Sequence, residues 1–118
     1  MADASVTIFH NPACGTSRNT LAAIRAAGIE PTIVEYLKAG WTKAELKRIL
    51  KLTGLSARDI LRIRGTPAEE LKLTDPKATE DQIIDAMVGH PILVERPIVV
   101  TKKGAVLARP MEKVHDIL

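Results

Sequence analysis

Apolar positions along the chain change their spacing twice. Val6, Thr7, Ile8 and Phe9 form a short β-rich run that ends at His10-Asn11-Pro12. Asn-Pro marks a turn, and Pro12 cannot continue a ladder. Helical spacing follows. A helix is predicted over 17–27, with Leu21 and Ile24 on one face and Gly28 where a helix C-terminus favours positive φ. Thr32-Ile33-Val34-Glu35-Tyr36 returns to strand composition. A β-loop-α-β opening this short favours two parallel strands.

The middle of the chain reads as helical. Thr42-Lys43-Ala44-Glu45 has capping-box spacing, and Leu46, Ile49 and Leu50 continue as an apolar stripe towards Gly54. Ser56-Ala57-Arg58-Asp59 predicts a shorter helix carrying Ile60 and Leu61. Thr66-Pro67-Ala68-Glu69 predicts another start, with proline at the first helical position. Thr79-Glu80-Asp81-Gln82 opens a further helix, with Ile83, Ile84, Met87 and Val88 on one side, stopped by Gly89 and Pro91.

In the last third the period returns to two. Pro97-Ile98-Val99-Val100-Thr101 and Ala105-Val106-Leu107-Ala108 are strands, joined tightly by Lys102-Lys103-Gly104. A closing helix is predicted over 110–118, with Met111, Val114, Ile117 and Leu118 apolar. Two parallel strands plus an antiparallel hairpin, flanked by helices, match a thioredoxin-like arrangement. The expected architecture is an α/β domain, 1–118, with a β-α-β … β-β-α core. A helical insertion of about 42–90 separates its halves. No repeat or linker divides the chain, and fold alone does not give function.

Composition narrows the picture. The chain has 118 residues, 46% hydrophobic and 26% charged, as expected of one soluble globular domain. A chain of this size buries roughly two thirds of its unfolded surface and needs no staple. The single cysteine excludes an internal disulfide and a Cys-rich zinc site. No apolar run approaches the ~18–20 residues of a membrane span. Met1-Ala2-Asp3-Ala4-Ser5 carries neither a basic segment nor an apolar stretch, so a cytoplasmic address without membrane association is expected. The net charge of +3 is spread along the chain, and Phe9, Tyr36 and Trp41 are the only aromatics. A nucleic-acid reader would concentrate its charge and add stacking side chains, so no nucleic-acid partner is expected.

Cys14 is the candidate for chemistry. A lone cysteine is ordinarily a small buried hydrophobe, but this one lies after the first strand, at the expected start of the first helix. A helix N-terminus offers unsatisfied N–H groups and the positive end of the macrodipole, and both favour the nucleophilic thiolate. His10, four residues upstream, adds positive charge when protonated. Gly15 lets the backbone turn and approach an anion closely. In Cys14-Gly15-Thr16-Ser17, serine stands where thioredoxins place a second cysteine. Ser17 can donate a hydrogen bond to a thiolate and can serve as a helix N-cap, but it cannot form a disulfide. A resolving thiol must then come from another molecule. The string is not the Cys-x5-Arg loop of phosphatases, since Thr20 lies six residues past Cys14 and Arg18 only four.

The segment His10-Asn11-Pro12-Ala13-Cys14-Gly15-Thr16-Ser17-Arg18-Asn19-Thr20-Leu21 closely resembles the active-site segment of glutaredoxin-dependent arsenate reductases. Glu30-Pro31-Thr32-Ile33, Leu61-Arg62, the run from His90 through Pro91-Ile92-Leu93-Val94-Glu95-Arg96-Pro97 to Thr101, and Arg109-Pro110 resemble that family too. The resemblance covers essentially the whole chain, although enterobacterial members continue past the equivalent of Leu118 with a polar extension. It implies attack of the Cys14 thiolate on arsenate to give a Cys–S–As(V) adduct. Glutathione would then join as co-substrate, glutaredoxin would resolve the glutathione-linked species, and arsenite would leave. It implies oxyanion binding by Arg62, Arg96 and Arg109, and a part for His10 and Ser17 in holding the thiolate. It also implies a cis-proline at Pro97, facing the sulfur.

The chemistry agrees with that assignment. An anionic oxyanion must approach a negative sulfur, so cations have to neutralise its oxygens. Arginine binds oxyanions through a planar fork and stays charged at any working pH. Of eight arginines, Arg25, Arg48 and Arg58 fall on polar helix faces, whereas Arg62, Arg96 and Arg109 lie at element ends near apolar runs. Position alone leaves a surface salt bridge open for each, and Arg64 sits close enough to compete with Arg62. His90, at a helix end, and His115, on the last helix, form no ligand spacing with His10, so neither a metal nor a bound cofactor is expected. A monomer acting on arsenate is the leading expectation. A glutathione-dependent thiol transferase of the same fold would need Cys14 but not all three arginines. A thioredoxin-fold regulator that binds RNA polymerase would often carry a C-x-x-C switch, which is missing here.

Overall fold

The computed structural model describes residues 3–118, with side chains from Ser5 onward. These residues divide into two units, one reaching Ala39 and resuming over Arg96–Leu118, the other spanning Gly40–Glu95.

In the first unit, β1 (Asp3–His10) runs through the middle of a four-stranded sheet ordered β2-β1-β3-β4. Its partners are β2 (Pro31–Glu35), parallel, and β3 (Ile98–Thr101), antiparallel. β3 pairs antiparallel with β4 (Gly104–Leu107). A central strand is covered on both faces, which is why Ile8 and Phe9, pointing oppositely, are both buried. Val6 and Ile8 pack with Leu21 and Ile24 of α1 (Gly15–Ala26), with Val99, and with Val114 of a closing 3-10 helix (Met111–Asp116). The predicted parallel pair is therefore present, in the register Thr7–Thr32 to His10–Glu35. Gly28 adopts φ +83 as predicted, and the N–H of Ile29 reaches back to the Ile24 carbonyl at 3.3 Å.

Expectations for the second strand, the closing helix and the hairpin connection are corrected. Tyr36 does not end a strand; it is fully buried and starts the short α2 (Tyr36–Ala39). The closing segment is a 3-10 helix and not an α-helix, with Lys113 N–H bonded to the Pro110 carbonyl at 3.1 Å. The tighter i→i+3 pattern still buries Val114. The hairpin turns on Lys102 and Lys103 alone, because Gly104 already pairs with Thr101.

The second unit holds α3 (Lys43–Thr53) and α4 (Glu80–Gly89), both where capping signals predict them. Thr42 Oγ1 accepts the Glu45 N–H at 3.1 Å, and Gly54 ends α3 at φ +74. Thr79 and Gln82 form a reciprocal capping box. Ile83, Ile84 and Met87 are buried, but Val88 is exposed and does not share their face. Lys43 bridges to Asp85 at 3.2 Å and Asp81 at 3.8 Å, joining the two helices.

The helices expected from Ser56 and from Thr66 are absent. Residues 57–61 form successive i→i+3 turns, after which Leu61 pairs with Val94 as an antiparallel bridge. The Pro67 turn makes one i→i+4 bond, to Leu71 at 2.9 Å. It then reverses at Lys72, φ +61, where Leu73 N–H meets the Ala68 carbonyl. Each start signal is satisfied, but neither segment carries a long enough apolar stripe to propagate.

Candidate active site

Cys14 is the N-cap residue of α1, with φ −96° and ψ 123°, and is 8% exposed. The loop before it is tied down at each step. Asn11 Oδ1 accepts the Ala13 N–H at 3.0 Å, an Asx turn, and the Asn11 carbonyl accepts the Cys14 N–H at 3.0 Å. Ser17 Oγ accepts the Asn11 N–H at 3.1 Å and shares a 2.6 Å hydrogen bond with His10 Nδ1. Ser17 is fully buried, and His10 and Asn11 nearly so, so these bonds lie in a low-dielectric setting where they count most.

The Cys14 thiol is held below its ordinary pKa. Burial works against ionisation as the largest single influence. The Ser17 backbone N–H, the Arg96 guanidinium as charge and as donor, and the Thr16 N–H together outweigh it. The sulfur accepts no cap hydrogen bond of full geometry, and the Ser17 and Thr16 amides that favour the thiolate belong to the first turn, at the positive end of the helix dipole. The Ser17 hydroxyl is committed to the end of β1, and its contribution to the thiolate comes through its backbone.

His10 departs from expectation. Burial pushes its pKa down, Glu35 opposes that, and Arg25 and Arg18 push it down further. The expected positive charge at His10 is thus disfavoured, and the cation acting on Cys14 is Arg96. Arg18 and Arg25 line, with His10, Pro12 and Leu21, a groove of about 700 Å³ along α1. Arg25 is paired bidentately with Glu30, at 2.8 and 2.9 Å.

Arg96 and Arg109 stand at the two ends of the β3–β4 hairpin. The Ala108 N–H bonds to the Pro97 carbonyl at 3.0 Å, and Arg109 Nη1 donates to the Arg96 carbonyl at 3.1 Å. Both Arg96-Pro97 and Arg109-Pro110 are cis, the second of which the sequence did not suggest. Gly15 begins α1 without a positive φ. A Cβ there would meet Arg18 Nη2 at an ordinary 3.7 Å, so neither backbone nor packing requires the glycine. Arg62 belongs to the second unit, where its N–H bonds to the Leu93 carbonyl at 2.7 Å and its Nε donates to the Arg64 carbonyl at 3.1 Å. Among the described residues, no group of three His, Cys, Asp or Glu side chains gathers that could hold a metal ion, and no helix is long and apolar enough to cross a membrane.

A depressed thiol beside an arginine, at the N-terminus of a helix that follows the central strand, suits nucleophilic attack on an anion. Residues 9–117 match the ArsC family. The chain belongs to the ArsC family. It is 56% identical to an arsenate reductase of Rhizobium meliloti strain 1021 over 114 residues, 97% of this chain and 81% of that protein. It is 53% identical, with the same coverage, to an arsenate reductase of Escherichia coli K12. The structure of an arsenate reductase from Vibrio cholerae superposes with a TM-score of 0.92 at 41% identity, covering 98% of this chain and all of that one. The thioredoxin-like fold expected from the element order is the fold of this ArsC chain.

Two groups in this ArsC site escape sequence reasoning. Asn11 was legible only as half of an Asn-Pro turn, although its Asx-turn spacing was a usable local signal. The Arg109–Arg96 carbonyl bond joins residues 13 apart, and nothing local announces it.

Proposed function

We propose that this ArsC chain reduces arsenate to arsenite, with Cys14 as nucleophile and glutathione and glutaredoxin as reductants. The observation that carries the reading is the depressed thiol of Cys14 beside Arg96, with Arg109 tied to the Arg96 backbone. Arsenate reductases at 53–56% identity support the substrate.

Arg96, Arg109 and Arg62 would neutralise the arsenate oxygens, so that a negative sulfur can approach arsenic. Cys14 Sγ forms a bond to arsenic as an arsenate oxygen departs as water after protonation. Glutathione joins the As(V) adduct as a second thiol, and a further arsenate oxygen leaves as water. Two electrons pass to arsenic as both its bonds to sulfur break and the Cys14 and glutathione sulfurs become a mixed disulfide, and a water returns to arsenic to give arsenite. Because Cys14 is the only cysteine, that disulfide has no internal resolving thiol. A glutaredoxin thiol then takes the glutathionyl group and frees the Cys14 thiolate, and arsenite leaves.

The test is a coupled assay of NADPH oxidation with arsenate, glutathione, glutaredoxin and glutathione reductase. Arsenate-dependent oxidation that needs both glutathione and glutaredoxin is expected. Turnover with arsenate and thioredoxin alone would overturn the reductant assignment. Thiol transfer without arsenate reduction would overturn the substrate.

A further inference from the structure

In the second unit, a short loop converges its hydrogen bonds on Arg62. Thr66 Oγ1 shares its proton between the Arg62 carbonyl at 2.7 Å and the Ile63 carbonyl at 2.9 Å. The Thr66 N–H also reaches the Ile63 carbonyl, at 3.2 Å. On the other side of the residue, the Arg62 N–H is bound to the Leu93 carbonyl. The side chain then folds over its own loop, with Nε donating to the Arg64 carbonyl at 3.1 Å. Gly65 makes the reversal at φ +74, and a Cβ there would stand 3.8 Å from Arg62 Nη2.

An arginine has five N–H donors in a rigid fork. With the backbone tied at both carbonyl and amide and Nε–H committed to Arg64, the edge formed by Nη1 and Nη2 remains to meet a ligand. That edge takes two oxygens of a tetrahedral anion side by side. Tying Nε also removes rotamer freedom before binding, and with it part of the ordering cost that a loose arginine incurs on capture.

We propose that Thr66 is a positioning residue for Arg62. Together with Gly65 and the Arg64 carbonyl, it holds the guanidinium ready to take a tetrahedral oxyanion through its Nη edge. The inference rests on the reading of Arg62 as an arsenate ligand. Thr66 also accepts the Ala68 N–H at 3.3 Å, supporting the Pro67 turn. Loss of stability would therefore not separate the two duties, and the readout must be arsenate affinity and its coupling to Arg62.

Steady-state arsenate kinetics on Thr66→Val, Thr66→Ser, Arg62→Ala and the Thr66→Val/Arg62→Ala pair give the test, with alkylation of Cys14 by iodoacetamide in parallel. Thr66→Val is expected to raise the arsenate KM about fivefold, the scale of one lost hydrogen bond, with kcat nearly unchanged. Thr66→Ser keeps the hydroxyl and should restore the wild-type KM. In the Arg62→Ala background, Thr66→Val should add nothing, and alkylation should be unaffected throughout. An equal KM increase in both backgrounds would overturn the inference. So would a wild-type KM in Thr66→Val while Arg62→Ala is impaired. Unchanged arsenate kinetics in Arg62→Ala would show instead that the ligand role of Arg62 had failed, and the inference would fall with it. If Thr66→Val does not fold, Gly65→Ala, strained at its left-handed φ, should give the same KM increase and the same absence of additivity.

Discussion

The loop that presents Cys14 and the loop that presents Arg62 each carry one side chain of the proposed mechanism, and they are built differently. The first is buried. The Ser17 hydroxyl bonds both the Asn11 N–H and His10 Nδ1 at the seam between a central strand and a helix. The second is half exposed, and it is held by bonds from its own residues to its own backbone. The difference follows from what each group must do. A thiol becomes a nucleophile only if its surroundings favour the charged form, which takes oriented amides and a nearby cation. A guanidinium is charged regardless and needs only a fixed direction.

The most severe way to break the comparison is to remove the nucleophile. Cys14→Ser should abolish arsenate reduction while the far-UV spectrum and melting temperature stay near wild type, because the replacement is nearly isosteric. Substantial residual turnover would exclude the covalent route.

Next come the cations of the first unit. Arg96→Lys and Arg109→Lys keep the charge and lose the fork. Each should lower turnover with arsenate by about ten- to a hundredfold, or ~1.4–2.7 kcal/mol. The two arginines should part company in the ionisation of Cys14. Its alkylation midpoint should lie below the ~8.5 of a free thiol. It should rise in Arg96→Gln and stay put in Arg109→Gln, since Arg96 alone of the two acts on the thiol. A shared shift would mean that the charges act as a diffuse field.

Stability sharpens the contrast further. Ser17→Ala strips the acceptor from the buried Asn11 N–H and should cost about 1–3 kcal/mol in urea unfolding. Thr66→Val, on a more exposed loop, should cost under about 1 kcal/mol. Equal losses would contradict the assignment of one loop as buried scaffold and the other as local brace.

The smallest expected effect is on His10. With a pKa below its ordinary value, the folded protein binds fewer protons there than the unfolded chain does. The stability this brings is fully present above about pH 6.5 and is lost as pH falls through the folded pKa. An NMR titration of His10 should therefore place its midpoint below ~6.5. A raised midpoint would restore the imidazolium as a partner of the thiolate.

Much of this molecule was legible residue by residue. Thr42 and Thr79 announce α3 and α4 because a cap is a bond between residues three apart. Cys14 could be placed at a helix start because Asn11-Pro12 ends the strand and helical spacing follows, and a short β-α-β unit leaves little choice but a parallel pair. The same signals at Ser56 and Thr66 misled. A cap can start a turn, but only a buried stripe prolongs it, and the backbone after Leu61 is drawn into the bridge with Val94 instead.

Sequence alone determined the β-α-β opening, the closing hairpin, the cysteine at a helix start and the residue types available to meet an anion, because each of these is a local or compositional property. The tertiary structure decided how those groups are charged and aimed. The protonation of His10 depends on burial and on charges from β2 and α1. The Ser17 hydroxyl is claimed by the strand end, and Arg96 and Arg109 are joined through a backbone carbonyl. Desolvation and Coulomb energy act through space, so residues far apart in the chain set them, and no window along the sequence contains the answer.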